Sequence, residues 1–329
     1  MADLDYGPIA GGDWPTFGWA DDVRPALAQA LASETPCVLA TLVRVEGSAP
    51  RGPGAQMLFV GKEASGYFSG DCIEGDVAGH AAKVLENGGP EVLHYGAGSP
   101  WIDIRLRCGG ALHILLERIR GDSLPARDLI ECAQERRPCV WSSDGIVQIV
   151  ESGAGDPLLE WTDTPLHMKR RYDPPRRLIV SGGDPGALAL AKLAHEARFE
   201  TILIRPDGPE TPPPFPVSQY LRADPALALA DLGVDRWTAY VGATHEDEHD
   251  LGGCLAALQG GAGYVGMIGA KVRAEGRKAA LQGMGASEEQ LARLTLSPGI
   301  RGLGKAPWEV ATGIVAEVMQ ALGSAREGA

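Results

Sequence analysis

The residues in the first half of the chain that are best suited to chemistry surround Cys72, in the stretch SGDCIEGDV over residues 69–77. A helical pattern of apolar residues begins directly after this cysteine, so we expect it at or beside the first position of a helix. The helix dipole there favours a thiolate, whereas Asp71, Glu74 and Asp76 oppose a second negative charge. Two interpretations stay open: a reactive thiol, or a small core residue.

A glycine-rich loop, GSAPRGPG over residues 47–54, is a second candidate site. Its backbone amides, together with Ser48 and Arg51, are groups that bind a small anion such as a phosphate monoester. Cys108 lies before a pair of glycines between two apolar runs, and it has the same two interpretations as Cys72. The six cysteines form no C-x-x-C pair, which leaves individual thiols as the cysteine chemistry to consider.

The strand-to-helix junction VSGGDPGALAL in the second half partly matches the dinucleotide fingerprint G-x-G-x-x-G. In one register Gly183 and Gly186 take the second and third places, and a serine takes the first. In the other, Gly182 leads and Asp184 stands where the backbone should approach a pyrophosphate. The next predicted strand ends in Arg205 rather than in an acidic residue, so it favours a 2′-phosphate over a ribose diol. We expect this junction to serve architecture more than nucleotide binding.

The segment HEDEH, residues 245–249, formally satisfies the zinc-peptidase pattern H-E-x-x-H. It follows a predicted strand directly, so it occupies a loop and a first helical turn, where acidic residues are favourable without any metal. We therefore do not interpret it as a peptidase site. His245 and Asp250 nevertheless lie at the carboxyl end of the predicted sheet, where open α/β sheets bind ligands.

Alternating strand and helix patterns after residue 175 predict a Rossmann-like, doubly wound parallel sheet. The first half mixes helices and short strands and predicts a separate α/β domain. The segment HMKRRYDPPRR, residues 167–177, is basic and interrupted by prolines, and we interpret it as the linker. The expected domains are residues 1–168 and 175–329.

Composition narrows the function classes. The net charge of −13 would repel nucleic acid and anionic lipid surfaces, so we expect neither as a partner. No apolar run approaches the length needed to cross a membrane, and the acidic start does not match a signal peptide. We expect a cytoplasmic protein.

Several blocks of the sequence resemble the XdhC/CoxI family of accessory proteins for molybdenum hydroxylases. The resemblance follows the chain in order through ATLVRVEGSAPRGPGAQML, SGDCIEGDVAGHA, RLRCGGALHILLE, LIVSGGDPGALALAKLA, GATHEDEHD, GYVGMIGAKVRAEGRKAAL and LSPGIRGLGKAPWEVATGIVAEV. It implies a maturation chaperone rather than a turnover enzyme. Such a protein binds molybdenum cofactor (molybdopterin), assists its sulfuration or insertion, and delivers it to a client xanthine dehydrogenase, aldehyde oxidoreductase or carbon monoxide dehydrogenase. The resemblance also implies a homodimer, with a cysteine desulfurase as a further partner.

The resemblance assigns roles by position. Cys72 matches the cysteine of the S-G-G-C-x-E-G motif, with Asp71 in place of a glycine, and Cys108 matches that of C-G-G. On this interpretation Cys72 lies nearest the metal, and Cys108 is either a second contact or a structural thiol. The remaining matches are Glu46, Gly47, Ser48, Pro50 and Arg51 in the E-G-S-x-P-R loop, and Thr244, His245 and Asp250 in T-H-x-x-x-x-D.

The chemistry of molybdopterin agrees with these roles. Arg51 and the loop amides suit its phosphate, Asp71 and Glu74 can meet the pterin edge, and a soft thiolate suits molybdenum. Two other hypotheses compete. One is an NAD(P)-dependent oxidoreductase that uses the second domain and a nucleotide bound at Gly182, Gly183, Gly186 and Arg205. The other is a non-catalytic adaptor that docks the client enzyme.

Overall fold

The structure, a computed structural model, describes residues 16–70, 72–97, 99, 106, 109–153, 155 and 157–327. The chain divides into two compact units, with the division between Pro174 and Pro175. We propose that these units are the two domains expected from the sequence. Asp71 and Cys108 lie outside the described residues.

The described part of the first unit contains two antiparallel sheets and three α-helices. A five-stranded sheet has the order β3-β2-β1-β5-β4, and a four-stranded sheet has the order β7-β6-β9-β8. The strands are β1 (Cys37–Glu46), β2 (Gln56–Val60), β3 (Glu63–Gly66), β4 (Glu91–Tyr95), β5 (Ala111–Ile119), β6 (Cys139–Ser143), β7 (Gln148–Ser152), β8 (Leu159–Thr162) and β9 (His167–Tyr172). The helices are α1 (Arg24–Ala32), α2 (Glu74–Asn87) and α3 (Leu124–Gln134).

The two faces of the five-stranded sheet bury two different cores. Alternation along β1 sends Leu39 into the core with α1 and α3, and Val38 and Ala40 into the core with α2. Helix α2 ends where Gly88 adopts a left-handed conformation with φ of 77°, as the sequence predicted. Both faces of the sheet are therefore fixed against helices.

The second unit is a parallel sheet with helices on both faces. Its strands are β10 (Arg177–Gly182), β11 (Glu200–Ile204), β12 (Gln219–Leu221), β13 (Thr238–Ala243), β14 (Tyr264–Met267) and β15 (Leu294–Leu296). Its helices are α4 (Pro185–Glu196), α5 (Pro225–Leu232), α6 (Asp247–Gln259), α7 (Ala274–Gly283), α8 (Glu288–Ala292) and α9 (Pro307–Glu327).

The strand order β12-β11-β10-β13-β14-β15 confirms the predicted doubly wound sheet. Leu178 and Val180 of β10 pack against α4 and α9, whereas Ile179 packs on the opposite face with α5, α6 and α7. From β10 the strands are added first on one side, as β11 and β12, and then on the other side, beginning with β13. The strand order therefore reverses between β10 and β13. The crevice at this switch point is where such sheets bind ligands.

The linker prediction is wrong for its first six residues. His167–Tyr172 forms β9 and pairs with β6 and β8, because Met168 and Tyr172 are buried in the core with α1 and α3. Arg177 already belongs to β10. The segment between the two units is therefore limited to residues 173–176. Among the described residues, no helix combines the length and apolar character that crossing a bilayer requires.

Candidate functional site

One end of the five-stranded sheet gathers the loops that carry the first-unit motifs. Pairing of Glu46 with Ala111, and of Tyr95 with Leu112, brings the end of β1, the start of β5 and the end of β4 together. Pairing of Met57 with Gly66 adds the end of β3 to the same end of the sheet. Antiparallel topology thus collects segments that are far apart in the sequence.

Glycines allow these loops to touch through their backbones. A Cβ added at Gly110 would lie 2.8 Å from the Glu46 carbonyl oxygen and would overlap the Ser48 carbonyl oxygen. Gly47 in turn lies against the Gly110 Cα, at 3.5 Å from its own ideal Cβ position. The glycines that follow Cys108 therefore form the floor beneath the 46–48 loop.

We expect Gly110→Ala to displace the 46–48 loop and to destabilise the first unit by about 2 kcal/mol, because its Cβ would meet two backbone carbonyls. Gly52→Ala, in the same loop region, is the matched control, since nothing lies within 4 Å of its Cβ. Urea unfolding of both variants checks this. Equal stability of the two variants would contradict the close approach.

Cys72 lies in a tight turn that a single carboxylate organises. Helix α2 begins at Glu74 with Ile73 as its N-cap, so Cys72 lies one residue before the cap. The Glu74 carboxylate accepts hydrogen bonds from the Phe68 N–H at 2.9 Å, the Ser69 N–H at 2.7 Å and the Ser69 hydroxyl at 2.7 Å. The Ser69 hydroxyl oxygen accepts from the Cys72 N–H at 3.0 Å.

Glu74 thereby has a role that the sequence did not predict. It is only 4% exposed, and burial alone would raise its pKa, but the hydrogen bonds from Ser69 and Phe68 prevail and lower that pKa. Both oxygens accept hydrogen bonds within the turn. Glu74 is a positioning residue for Cys72.

Cys72 is partly exposed and packs at the edge of the core that contains α2. Of the free cysteines in the described part of the chain, Cys72 is intermediate in exposure, whereas Cys37, Cys132, Cys139 and Cys254 are buried. Burial raises the pKa of Cys37 to about 12, and burial likewise raises the pKa of Cys254. These thiols are inert core residues, so Cys72 is the most exposed of the cysteines that the structure describes.

The loop that precedes the turn contacts it through Arg51. Its guanidinium lies over the Tyr67 ring, 4.7 Å from the centroid, and Nη1 forms an ion pair with Asp21 at 2.7 Å. Arg51, which the sequence predicted to bind an anion, therefore already pairs with a carboxylate of the protein. Glu46, Gly47 and Ser48 are exposed beside it, and Glu46 pairs with Arg44 at 2.8 Å.

Two histidines at this end of the sheet were missed by sequence reasoning. His94 and His113 are cross-strand partners whose rings stack 4.3 Å apart at an interplanar angle of 11°. Burial lowers the pKa of His113, and the neighbouring His94 adds to this. Only the register between β4 and β5 brings the two rings together, so no local motif could have revealed them.

The second unit has a cleft of about 320 Å³ at the switch point of its sheet. Gly182 and Gly183 from the end of β10, Arg205 from the end of β11 and Thr244 from the end of β13 line it. Gly182 has φ of 153°, and a side chain there would overlap the backbone of Ala243. By contrast, a Cβ at Gly186 would make only ordinary contacts, 3.6 Å from the Asp184 carboxylate.

His245 and Asp250 lie beside the residues that line this cleft, and each bonds to one of them. His245 has a left-handed φ of 64°, and its Nε2 lies 3.2 Å from Asp184 Oδ2. Asp250 is fully buried and accepts from the Thr244 N–H at 3.0 Å and its hydroxyl at 2.8 Å. Burial raises the pKa of Asp250 even against these hydrogen bonds. Asp250 therefore holds the loop at Thr244 in place.

The two histidines of HEDEH bond to different carboxylates. His245 bonds to Asp184, whereas His249 Nδ1 bonds to Asp224 at 3.1 Å. Across the described ranges, no group of three His, Cys, Asp or Glu side chains is arranged to hold a metal ion. The predicted site residues thus fall into two sets, one at the sheet end in the first unit and one around the cleft in the second.

Comparison with known proteins identifies relatives for both units. A family model described as the XdhC and CoxI family matches residues 30–96, and one described as the XdhC Rossmann domain matches residues 178–318. The molybdenum cofactor insertion chaperone PaoD of Escherichia coli (strain K12) is 28% identical over 303 residues, which cover 91% of this chain and 88% of that protein.

A second relative, a probable xanthine dehydrogenase subunit of Bacillus subtilis (strain 168), is 27% identical over 326 residues, covering 88% of this chain and 94% of its own. The crystal structure of a xanthine dehydrogenase from Bacillus halodurans matches with a TM-score of 0.69 at 24% identity, over 92% of this chain and 96% of that chain. This last likeness supports the fold. Because the two family models match both units in order and together span more than half of the residues, the chain belongs to the XdhC and CoxI family.

Proposed function

We propose that this protein is a maturation factor that binds molybdenum cofactor through Cys72 and passes it to a molybdenum hydroxylase. The observation that carries the proposal is the Cys72 turn: a free, partly exposed cysteine held by Glu74 at the sheet end where the motif loops meet. The name of the Escherichia coli relative, a molybdenum cofactor insertion chaperone, supports the same role.

A single cysteine suits this cargo. Molybdenum arrives already held by the two sulfurs of the pterin, so the protein needs to add one soft ligand rather than a complete metal site. One protein thiolate also permits release, which a carrier requires. The arrangement of the described residues, with one partly exposed cysteine and no cluster of three ligands, fits cargo binding.

Arg51 and the loop around it offer groups that fit the phosphate of the cofactor. The Arg51 ion pair with Asp21 involves a carboxylate that is 67% exposed, and such a surface pair contributes little stability. A phosphate can therefore compete for the Arg51 guanidinium. The exposed Ser48 hydroxyl and Gly47 lie next to Arg51 in the same loop.

The proposal also covers the sulfur source, the oligomeric state, the site of action and the client enzyme. We include assistance in sulfuration with a cysteine desulfurase as the sulfur source, a homodimeric state and a cytoplasmic site of action. The client is a xanthine dehydrogenase, an aldehyde oxidoreductase or a carbon monoxide dehydrogenase. The Bacillus subtilis relative, named as a probable xanthine dehydrogenase subunit, supports a client of that class.

The competing hypotheses gain less from the structure. An NAD(P)-dependent oxidoreductase would place a diphosphate at the start of α4, where Asp184 already stands. A simple adaptor gives no reason to hold a partly exposed cysteine in a turn with this many hydrogen bonds.

Molybdenum retention tests the proposed function. We expect Cys72→Ser to retain at least about tenfold less molybdenum per chain than wild type after exposure to released cofactor and gel filtration, because it loses the ligand to the metal. Cys132→Ala is the control, since Cys132 is buried in the core with α1 and α3. Elemental analysis gives the ratio. Equal retention by wild type and Cys72→Ser would refute direct ligation.

A further inference from the structure

The cleft in the second unit is lined by one arginine, Arg205. The Arg205 guanidinium has no ion pair or hydrogen bond with any of the described residues. The side chain lies across the backbone of Gly183, where an added Cβ would come within 2.7 Å of Arg205 Cζ. Because Gly183 has no side chain, the guanidinium can occupy the floor of the cleft.

The start of α4 is closed to a ligand diphosphate. Asp184 is the N-cap of α4, and its Oδ1 accepts from the Ala187 N–H at 2.7 Å. Its Oδ2 bonds to His245. The carboxylate therefore occupies the position in which Rossmann-like sheets usually bind a pyrophosphate, and it would repel one.

The charged groups that line the cleft restrict which ligands Arg205 can bind. The lining contains carboxylates from Asp184, Asp207 and Glu246, one arginine, and the imidazole of His249, which pairs with Asp224. A diphosphate or triphosphate would face more negative charge than Arg205 can balance. A ligand with one phosphate and several N–H donors matches both sets of groups, since carboxylates accept from N–H donors and guanidinium binds phosphate bidentately.

We propose that this cleft binds the phosphomonoester of an N–H-rich heterocycle, with the phosphate on Arg205 and the ring donors toward the carboxylates. Nucleotides that depend on a diphosphate at α4 are excluded. The site lies in the second unit alone and goes beyond the proposed function, because it does not depend on Cys72.

Calorimetric titration of the full-length protein tests this site, with guanosine 5′-monophosphate as the probe. We expect saturable binding that weakens about tenfold or more in Arg205→Ala and for guanosine, which lacks the phosphate. We expect NAD⁺, whose phosphates form only a diphosphate, to bind at least about tenfold more weakly than the probe.

Two further variants separate a missing charge from a misplaced one. Gly183→Ala keeps the arginine but moves its guanidinium off the floor, so we expect a loss similar to that of Arg205→Ala. Arg222→Ala removes an arginine that pairs with Glu210 outside the cleft, and we expect wild-type binding. No binding of the probe at millimolar concentration, equal binding of NAD⁺, or indifference to Arg205→Ala would each overturn the proposal. The proposal would also be overturned if Cys72→Ser weakened probe binding and none of the cleft variants did.

Discussion

Replacing Glu74 with alanine is expected to destabilise the first unit by about 3 to 5 kcal/mol and to remove most of its molybdenum retention. The carboxylate accepts from the N–H groups of Phe68 and Ser69 and, at 3.2 Å, of Ile73. Without it, these largely buried donors lose their acceptor at about 1 to 3 kcal/mol each, less what hydration of the relaxed turn recovers. Cys72 then has no fixed position.

Urea unfolding and molybdenum analysis of Glu74→Ala measure both effects. Glu86→Ala is the matched control, because Glu86 is exposed on the same helix, α2. We expect the control to change stability by less than about 0.5 kcal/mol and to retain molybdenum normally. A Glu74→Ala protein that kept wild-type retention would show that the turn does not position the thiol.

Replacing Glu117 with glutamine is expected to stabilise the first unit by about 3 kcal/mol at pH 8 and by little at pH 4.5. Glu117 is fully buried in β5, and burial raises its pKa to about 7 although Ser143 donates a hydrogen bond to it. The folded protein keeps this proton up to about pH 7, whereas the unfolded chain releases it near its ordinary pKa of 4.5.

The direction of this pH dependence follows from the number of protons that Glu117 binds in the folded and unfolded states. Between pH 4.5 and pH 7 the unfolded chain binds fewer protons than the folded one at Glu117, so this group makes stability fall as the pH rises. Glutamine is neutral throughout and removes that dependence. Urea titrations of wild type and Glu117→Gln at both pH values give the difference. A pH-independent difference between the two proteins would contradict a buried, protonated Glu117.

Long elements with clear periodicity were predictable from the sequence. The helices α2, α4 and α6 and the strands β10, β11 and β13 appear where their patterns placed them. The strands β12 and β15 were missed, because each has only three residues and too little pattern to detect. Both lie at sheet edges, where pairing with a neighbour, rather than local sequence, defines the strand.

The candidate site was predictable as a set of residues but not as a set of roles. The sequence singled out Cys72 and Arg205 by type and position; in the structure Cys72 is partly exposed and Arg205 lines the cleft of the second unit. The role of Glu74 depends on how the preceding turn folds back on it, and the partners of Arg51 come from other segments. The sequence shows which residue types are present at each position. Which residues they bond to depends on the fold.

The central claim is that the Cys72 sulfur binds the molybdenum of the cargo. X-ray absorption at the molybdenum edge, on full-length protein loaded with cofactor, tests it directly. We predict one more sulfur neighbour per molybdenum in wild type than in Cys72→Ala loaded to a measurable level. The same number of sulfur neighbours in both proteins would contradict the claim.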